Sequence, residues 1–185
     1  MIVGRDTRLS SPALSQACVR GVEAVGGSVV DLGVVTTPQL HYMVVATNTE
    51  GAYGEPTIQG YYAKISGAFK KFISLTEEKK VYKAKLMFDG ANGVGAPAMV
   101  EFNKLLNEVL EVEMVNQGEG ELNSGCGADY VKVSAKPLLA NYLSQRIKIQ
   151  VNQSGPLGQK LVPGLRCVSV DGDADRVISS YHKFS

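Results

Sequence analysis

What this chain lacks narrows its function before anything else does. Its 185 residues hold no basic block and carry a formal net charge of only +1. That balance argues against a nucleic-acid partner or an anionic membrane surface. No apolar run approaches the length of a membrane-spanning helix, and Met1-Ile2-Val3-Gly4-Arg5 does not read as a signal peptide. The three cysteines, Cys18, Cys126 and Cys167, are odd in number and scattered. Such a set suits free thiols in a reducing compartment, the cytosol by default, better than a disulfide framework or a zinc site. Of the two histidines, His41 lies on a helix among apolar neighbours and His182 near the end of the chain. Both read as structural or solvated, not catalytic. A hydrophobic content of 44% with 20% charged residues is that of an ordinary globular protein of one domain or two small ones.

Several common motifs are missing too. Asp89-Gly90-Ala91-Asn92-Gly93-Val94-Gly95 is glycine-rich, but its spacing is not that of a dinucleotide fingerprint. No Gly-Lys-Ser/Thr follows to make a phosphate-binding P-loop. A tight strand-to-helix turn is the simpler reading.

What is present is an alternation of strands and helices. Ile2-Val3 is a strand stub leading into Gly4-Arg5-Asp6-Thr7-Arg8. Ser11 is expected to cap a helix with Pro12 at its first position, its apolar stripe made by Leu14, Ala17, Cys18, Gly21, Val22 and Val25. Gly26-Gly27 ends it, Ser28 to Leu32 reads as a strand, and Thr37-Pro38 begins a second helix. Gly51 to Gly60 is a loop, followed by a helical period from Tyr62 to about Thr76. The charged Glu77-Glu78-Lys79-Lys80 is the best domain boundary, dividing the chain into about 1–80 and 81–185. Beyond it come a strand at Ala84 to Phe88, the glycine-rich turn and a helix bearing Met99, Phe102, Leu105, Leu106, Val109 and Leu110. Val112 to Val115 is a further strand and Asn116 to Gly127 a long polar loop. The fold class expected is α/β: two incomplete domains of parallel or mixed sheet flanked by helices.

The chemistry concentrates in Asp171-Gly172-Asp173-Ala174-Asp175-Arg176, directly after the apolar strand Arg166-Cys167-Val168-Ser169-Val170. Strand periodicity alone would set the three carboxylates on one side. Anions so close repel one another unless a cation neutralises them, and an oxygen-only ligand set favours Mg²⁺ or Ca²⁺ over zinc. The stretch is not an EF-hand, because Arg176 and His182 stand where Gly and Glu are needed. Nor does it fit a haloacid-dehalogenase phosphatase, which has Thr or Val where Asp175 stands. An acidic turn capped by Arg176 is the bland alternative.

D-G-D-A-D-R behind a buried strand resembles the metal loop of the α-D-phosphohexomutases. Val3 to Arg8, Thr36-Thr37-Pro38-Gln39-Leu40-His41-Tyr42-Met43-Val44, Gly60-Tyr61-Tyr62, Asp89 to Gly95, and Asn123 with Cys126-Gly127-Ala128-Asp129 extend the resemblance over nearly the whole chain. They point to the phosphoacetylglucosamine mutase branch. The resemblance implies that Asp171, Asp173 and Asp175 hold Mg²⁺ and that a phosphoserine oxygen completes the shell. It makes Arg176 a cation behind the metal ligands or facing the phosphate, or else a simple ion pair. Arg5 and Arg8 face the cleft or tie loops within the first domain. The implied partner is a sugar phosphate, with no nucleic acid and no membrane; nothing bears on the oligomeric state. No Ser-His-Asn-Pro loop occurs between Arg8 and Asp89, as expected for that branch, where the loop lies upstream. The sugar-recognition and C-terminal phosphate loops of the family are absent as well. The chain therefore reads as an internal fragment with no catalytic residue of its own. Asn141 to Lys160, poor in family-like residues, reads as an insertion or a misassembled exon. The alternatives are a glucose or mannose phosphomutase and a noncatalytic metal-binding module of the same fold.

Overall fold

The computed structural model describes residues 1–75, 85–134 and 166–181. The expected boundary at 77–80, the segment 141–160 and His182 lie outside those residues. The elements in chain order are β1 (Ile2–Arg5), α1 (Ser11–Ala24), β2 (Val30–Val34), α2 (Thr37–Asn48) and α3 (Ile58–Leu75). They are followed by β3 (Lys85–Asp89), α4 (Gly95–Leu106), β4 (Glu111–Val115), α5 (Gly127–Ser134), β5 (Arg166–Val170) and β6 (Val177–Tyr181). Among the described residues these strands make two sheets, a parallel pair β1-β2 and a four-stranded sheet in the order β4-β3-β5-β6. The strands β4, β3 and β5 run parallel, and β6 returns antiparallel to β5.

The first unit is held from its helices. Thr36 and Gln39 form a reciprocal cap on α2: Gln39 N–H reaches Thr36 Oγ1 at 3.4 Å, and Thr36 N–H reaches Gln39 Oε1 at 2.7 Å. Two orphan N–H groups of the first turn are satisfied this way. The Gln39 amide then donates to the Tyr62 hydroxyl at 2.7 Å, tying α2 to α3. Tyr42, Met43 and Ala46 of α2 form a buried cluster against which Ile2, Leu32, Ile58 and Tyr61 pack. Further along α3, Tyr62 meets Phe102 of α4 edge to face, with centroids 4.9 Å apart, so the same helix joins the two units.

Several expectations need correction. Helix α1 begins at Ser11 with Ser10 as its N-cap, and Pro12 lies within its first two positions. The Ser11 hydroxyl donates to Asp6, and Ser10 makes no side-chain cap. The apolar stripe of α1 is not a core face: Leu14, Ala17, Cys18, Gly21 and Val25 are exposed, because the two-stranded sheet beside the helix covers only part of it. Helix α4 stops at Leu106, whose carbonyl takes the N–H groups of both Val109 and Leu110 at 2.8 Å, so those two residues close the helix instead of continuing its stripe. His41 is exposed. Two elements were not anticipated, the helix α5 and the strand β6.

Candidate metal centre

The acidic stretch is not on a strand. It is the six-residue turn of the β5–β6 hairpin, closed by the pairing of Val170 with Val177. A left-handed Ala174, at φ 58°, lets the turn fold back so that its N–H bonds the Asp171 carbonyl at 3.0 Å. The turn lies at the C-terminal end of β5, the end at which parallel α/β sheets bind their ligands.

Three neighbouring loops fix it there. Asp89, at the end of β3, is fully buried and accepts from Ala91 N at 3.1 Å, Asn116 Nδ2 at 2.8 Å and Gly127 N at 2.7 Å. One carboxylate thus joins the loops after β3 and β4 and the start of α5. Asn92, left-handed at φ 55°, extends the join by accepting from Gly118 and Gly120 and donating to the Glu121 carbonyl. Val94 N then bonds the Gly172 carbonyl at 2.9 Å, and a Cβ on Gly93 would come within 2.6 Å of Gly172 Cα. Glycine at 93 allows the two backbones so close an approach, while a Cβ on Gly172 would meet the Leu122 and Asn123 side chains. The glycine-rich turn therefore works as a seat for the acidic turn. Beside Asn92, burial pushes the Cys126 thiol up to about 11.

Asp171, Asp173 and Asp175 converge, each offering an oxygen within 4.8 Å of the other two. Oxygens bound to one Mg²⁺ stand about 3 Å apart when adjacent and about 4.2 Å when opposite, at bond lengths near 2.1 Å. With a spread of up to 4.8 Å, the three carboxylates would have to draw in slightly to hold one hard cation. Their environments differ. Asp171 is 1% exposed, and its oxygens are taken by the N–H groups of Asp175 and Arg176, each at 3.1 Å, and by Arg176 Nε at 2.7 Å. Burial would raise its pKa, but those hydrogen bonds and the guanidinium charge hold it below the ordinary aspartate range. Asp173 goes the other way. Burial, together with the adjoining Asp171 and Asp175, raises it, and Arg8 offsets this only in part.

The structure resolves the arginines as well. Arg176 turns onto protein carboxylates: Nη2 reaches Asp171 at 2.6 Å, and Nη1 reaches the two oxygens of Asp129 at 2.6 and 2.8 Å. Asp129, in the first turn of α5, is a residue that sequence reasoning missed in this role, as it missed Asp89. The signal was the acidic residue closing Cys126-Gly127-Ala128-Asp129 and the one opening the glycine-rich turn. Arg5 stays within its own unit, 3.7 Å from Asp31. Arg8 crosses to the other, with Nη2 2.6 Å from Asp173 Oδ2.

The comparisons assign this α/β chain, with its convergent carboxylate turn at the C-terminal end of β5, to the α-D-phosphohexomutase class. Residues 1–53 match the model of phosphoglucomutase/phosphomannomutase α/β/α domain I, and residues 53–178 match that of phosphoacetylglucosamine mutase AMG1 domain II. The human phosphoacetylglucosamine mutase is 42% identical over 98% of this chain and 30% of its own length. A crystal structure of an N-acetylglucosamine-phosphate mutase in its substrate complex superposes with a TM-score of 0.75 at 35% identity, covering 98% of this chain and 31% of that one. The Aspergillus fumigatus enzyme in complex with GlcNAc-6P and magnesium gives 0.73 at 36% identity, covering 97% and 33%. The chain belongs to the phosphoacetylglucosamine mutase family, and it spans about 30% of the length of the curated relatives it matches.

Proposed function

We propose that this chain supplies the cation-binding part of a Mg²⁺-dependent phosphoacetylglucosamine mutase, which interconverts N-acetylglucosamine 6-phosphate and 1-phosphate. The convergence of Asp171, Asp173 and Asp175 on one turn carries the reading. The magnesium and GlcNAc-6P bound to the Aspergillus relative support the choice of cation and substrate. When bound, the cation offsets charge that builds on a phosphoryl group in transfer. The chain's own part is to hold three carboxylates in place through the loops after β3 and β4, and to keep Asp171 ionised through Arg176. We place the division between its domains near residue 80 and its compartment in the cytosol. Among the described residues no helix is long and apolar enough to cross a membrane.

The 185 residues contain no Ser-His-Asn-Pro loop to carry the phosphoryl group. The purified chain alone is therefore expected to show no turnover of N-acetylglucosamine 6-phosphate above a mock preparation. With no phosphate ligand, Mg²⁺ binding should be weak, on the order of millimolar. Calorimetric titration checks this, and Asp173→Asn should abolish the binding. Sub-micromolar affinity, or affinity unchanged in the variant, would sink the reading.

A further inference from the structure

Two arginines meet the charge of the acidic turn, and they are held very differently. Arg176 belongs to the turn itself and is locked by Asp171 on one side and by both oxygens of Asp129 on the other. Arg8 comes from the β1–α1 loop of the first unit, and its side chain is 62% exposed. One guanidinium nitrogen meets Asp173 Oδ2 at 2.6 Å, and the other meets Asp6 Oδ2 at 3.1 Å. Asp6 is itself fixed, accepting from Arg8 N at 3.1 Å and from the Ser11 hydroxyl. The arginine is thus presented to the turn by its own loop and touches one of the three carboxylates that converge. A divalent cation on Asp173 would share that carboxylate with a guanidinium, and like charges a few ångströms apart repel.

Resting on the proposed function, we propose that Arg8 is a built-in competitor for the cation. It neutralises Asp173 while the turn is empty and gives up that oxygen when a cation arrives. Linkage then works in both directions. Whatever factor Arg8 takes from cation affinity, the cation takes from the contact between the β1–α1 loop and the acidic turn. Cation loading thereby loosens the first unit's loop from the second unit and frees a guanidinium beside the site.

The test titrates the whole 185-residue chain with Mg²⁺ by calorimetry, comparing wild type, Arg8→Met and Arg8→Lys, with circular dichroism to check that each variant is folded. Arg8→Met keeps the length and removes the charge, so its Mg²⁺ affinity should rise about two- to tenfold, with Arg8→Lys between. The gain should shrink as salt is raised to about 0.5 M. Amide exchange at Thr7 to Ser10 should quicken when Mg²⁺ is added to wild type and stay unchanged in Arg8→Met. Equal or weaker binding by folded Arg8→Met, beside measurable wild-type binding, overturns this inference alone. No binding by any of the three proteins removes the cation reading, and this one with it.

Discussion

Helix α1 and strand β2 leave Leu14, Val25 and Val30 at 67, 85 and 55% exposure, whereas β3 and β5 close Met87 and Cys167 down to 1%. Both regions pair parallel strands and flank them with helices. The difference lies in what stands beside them. In the second unit β3 is flanked by β4 and β5, and its carboxylate end is roofed by loops that bond one another. In the first, among the described residues, the sheet has two strands, and the buried cluster forms around α2. An apolar stripe shows which face of a helix is fit for burial; burial itself needs a neighbour.

The comparison breaks most severely at Asp89. Replacing it with Ala leaves two buried backbone donors and the half-buried Asn116 amide without an acceptor, at about 1–3 kcal/mol for each buried group left unsatisfied. Asp89→Ala should therefore cost on the order of 3–6 kcal/mol in urea unfolding and erase Mg²⁺ binding. A loss under about 1 kcal/mol would show that the roof over the second unit is not what orders it.

An intermediate effect separates the regions by pH. Asp6 in the first unit is held below the ordinary aspartate range: burial opposes this, but the Ser11 hydroxyl, the Arg8 N–H and the Arg8 charge prevail. Asp173 in the second is raised. A depressed carboxyl adds stability that is fully present above its unfolded pKa and is lost as pH falls through the folded one. A raised carboxyl has the opposite sign, so protonating Asp173 does not destabilise the fold. On acidification Mg²⁺ affinity should therefore fall first, by up to about tenfold per pH unit, through Asp173's raised pKa. Unfolding should follow only at lower pH, where Asp6 and Asp171 protonate. Calorimetry and thermal melts over the same pH series check the order, and simultaneous loss would refute it.

The smallest effect is expected on α1. Leu14→Ser alters an exposed side chain and should change the stability of this chain by no more than about 0.5 kcal/mol. By contrast, Met87→Ala should cost about 2–5 kcal/mol. A large loss for Leu14→Ser would mean that the α1 face is covered in solution.

Much of this was legible in the sequence, because it depends on local rules. The start of α2 at Thr37-Pro38, the stop at Gly26-Gly27, the strand ahead of the acidic turn and the parallel α/β alternation all follow from residues a few positions apart. The acidic cluster was legible for the same reason, since its three carboxylates lie within five residues of sequence. What escaped depends on distant partners. Strand β6 is the short Val177-Ile178-Ser179-Ser180-Tyr181, which acquires its meaning only by pairing back on β5. Helix α5 carries no continuous apolar stripe to announce it and is tied in place by Gly127 N on Asp89 and by Asp129 on Arg176. No spacing rule links Arg8 to Asp173.

The order of strands has a consequence for how the chain is made. Strand β3 pairs with β4 on one edge and with β5 on the other, and Leu86 aligns with Arg166, far downstream. On the ribosome β4 is available soon after β3, but β5 is not. Until it emerges, β3 presents an unpaired row of amides and carbonyls with the apolar faces of Met87 and Phe88 beside it, the kind of edge on which chains aggregate. The acidic turn closes only after β5 and β6 have been released, so the cation site forms later than the β3–β4 pair. Nascent chains arrested before Arg166 should therefore depend on chaperones far more than chains arrested after Tyr181, a difference that ribosome-bound pulse proteolysis can read.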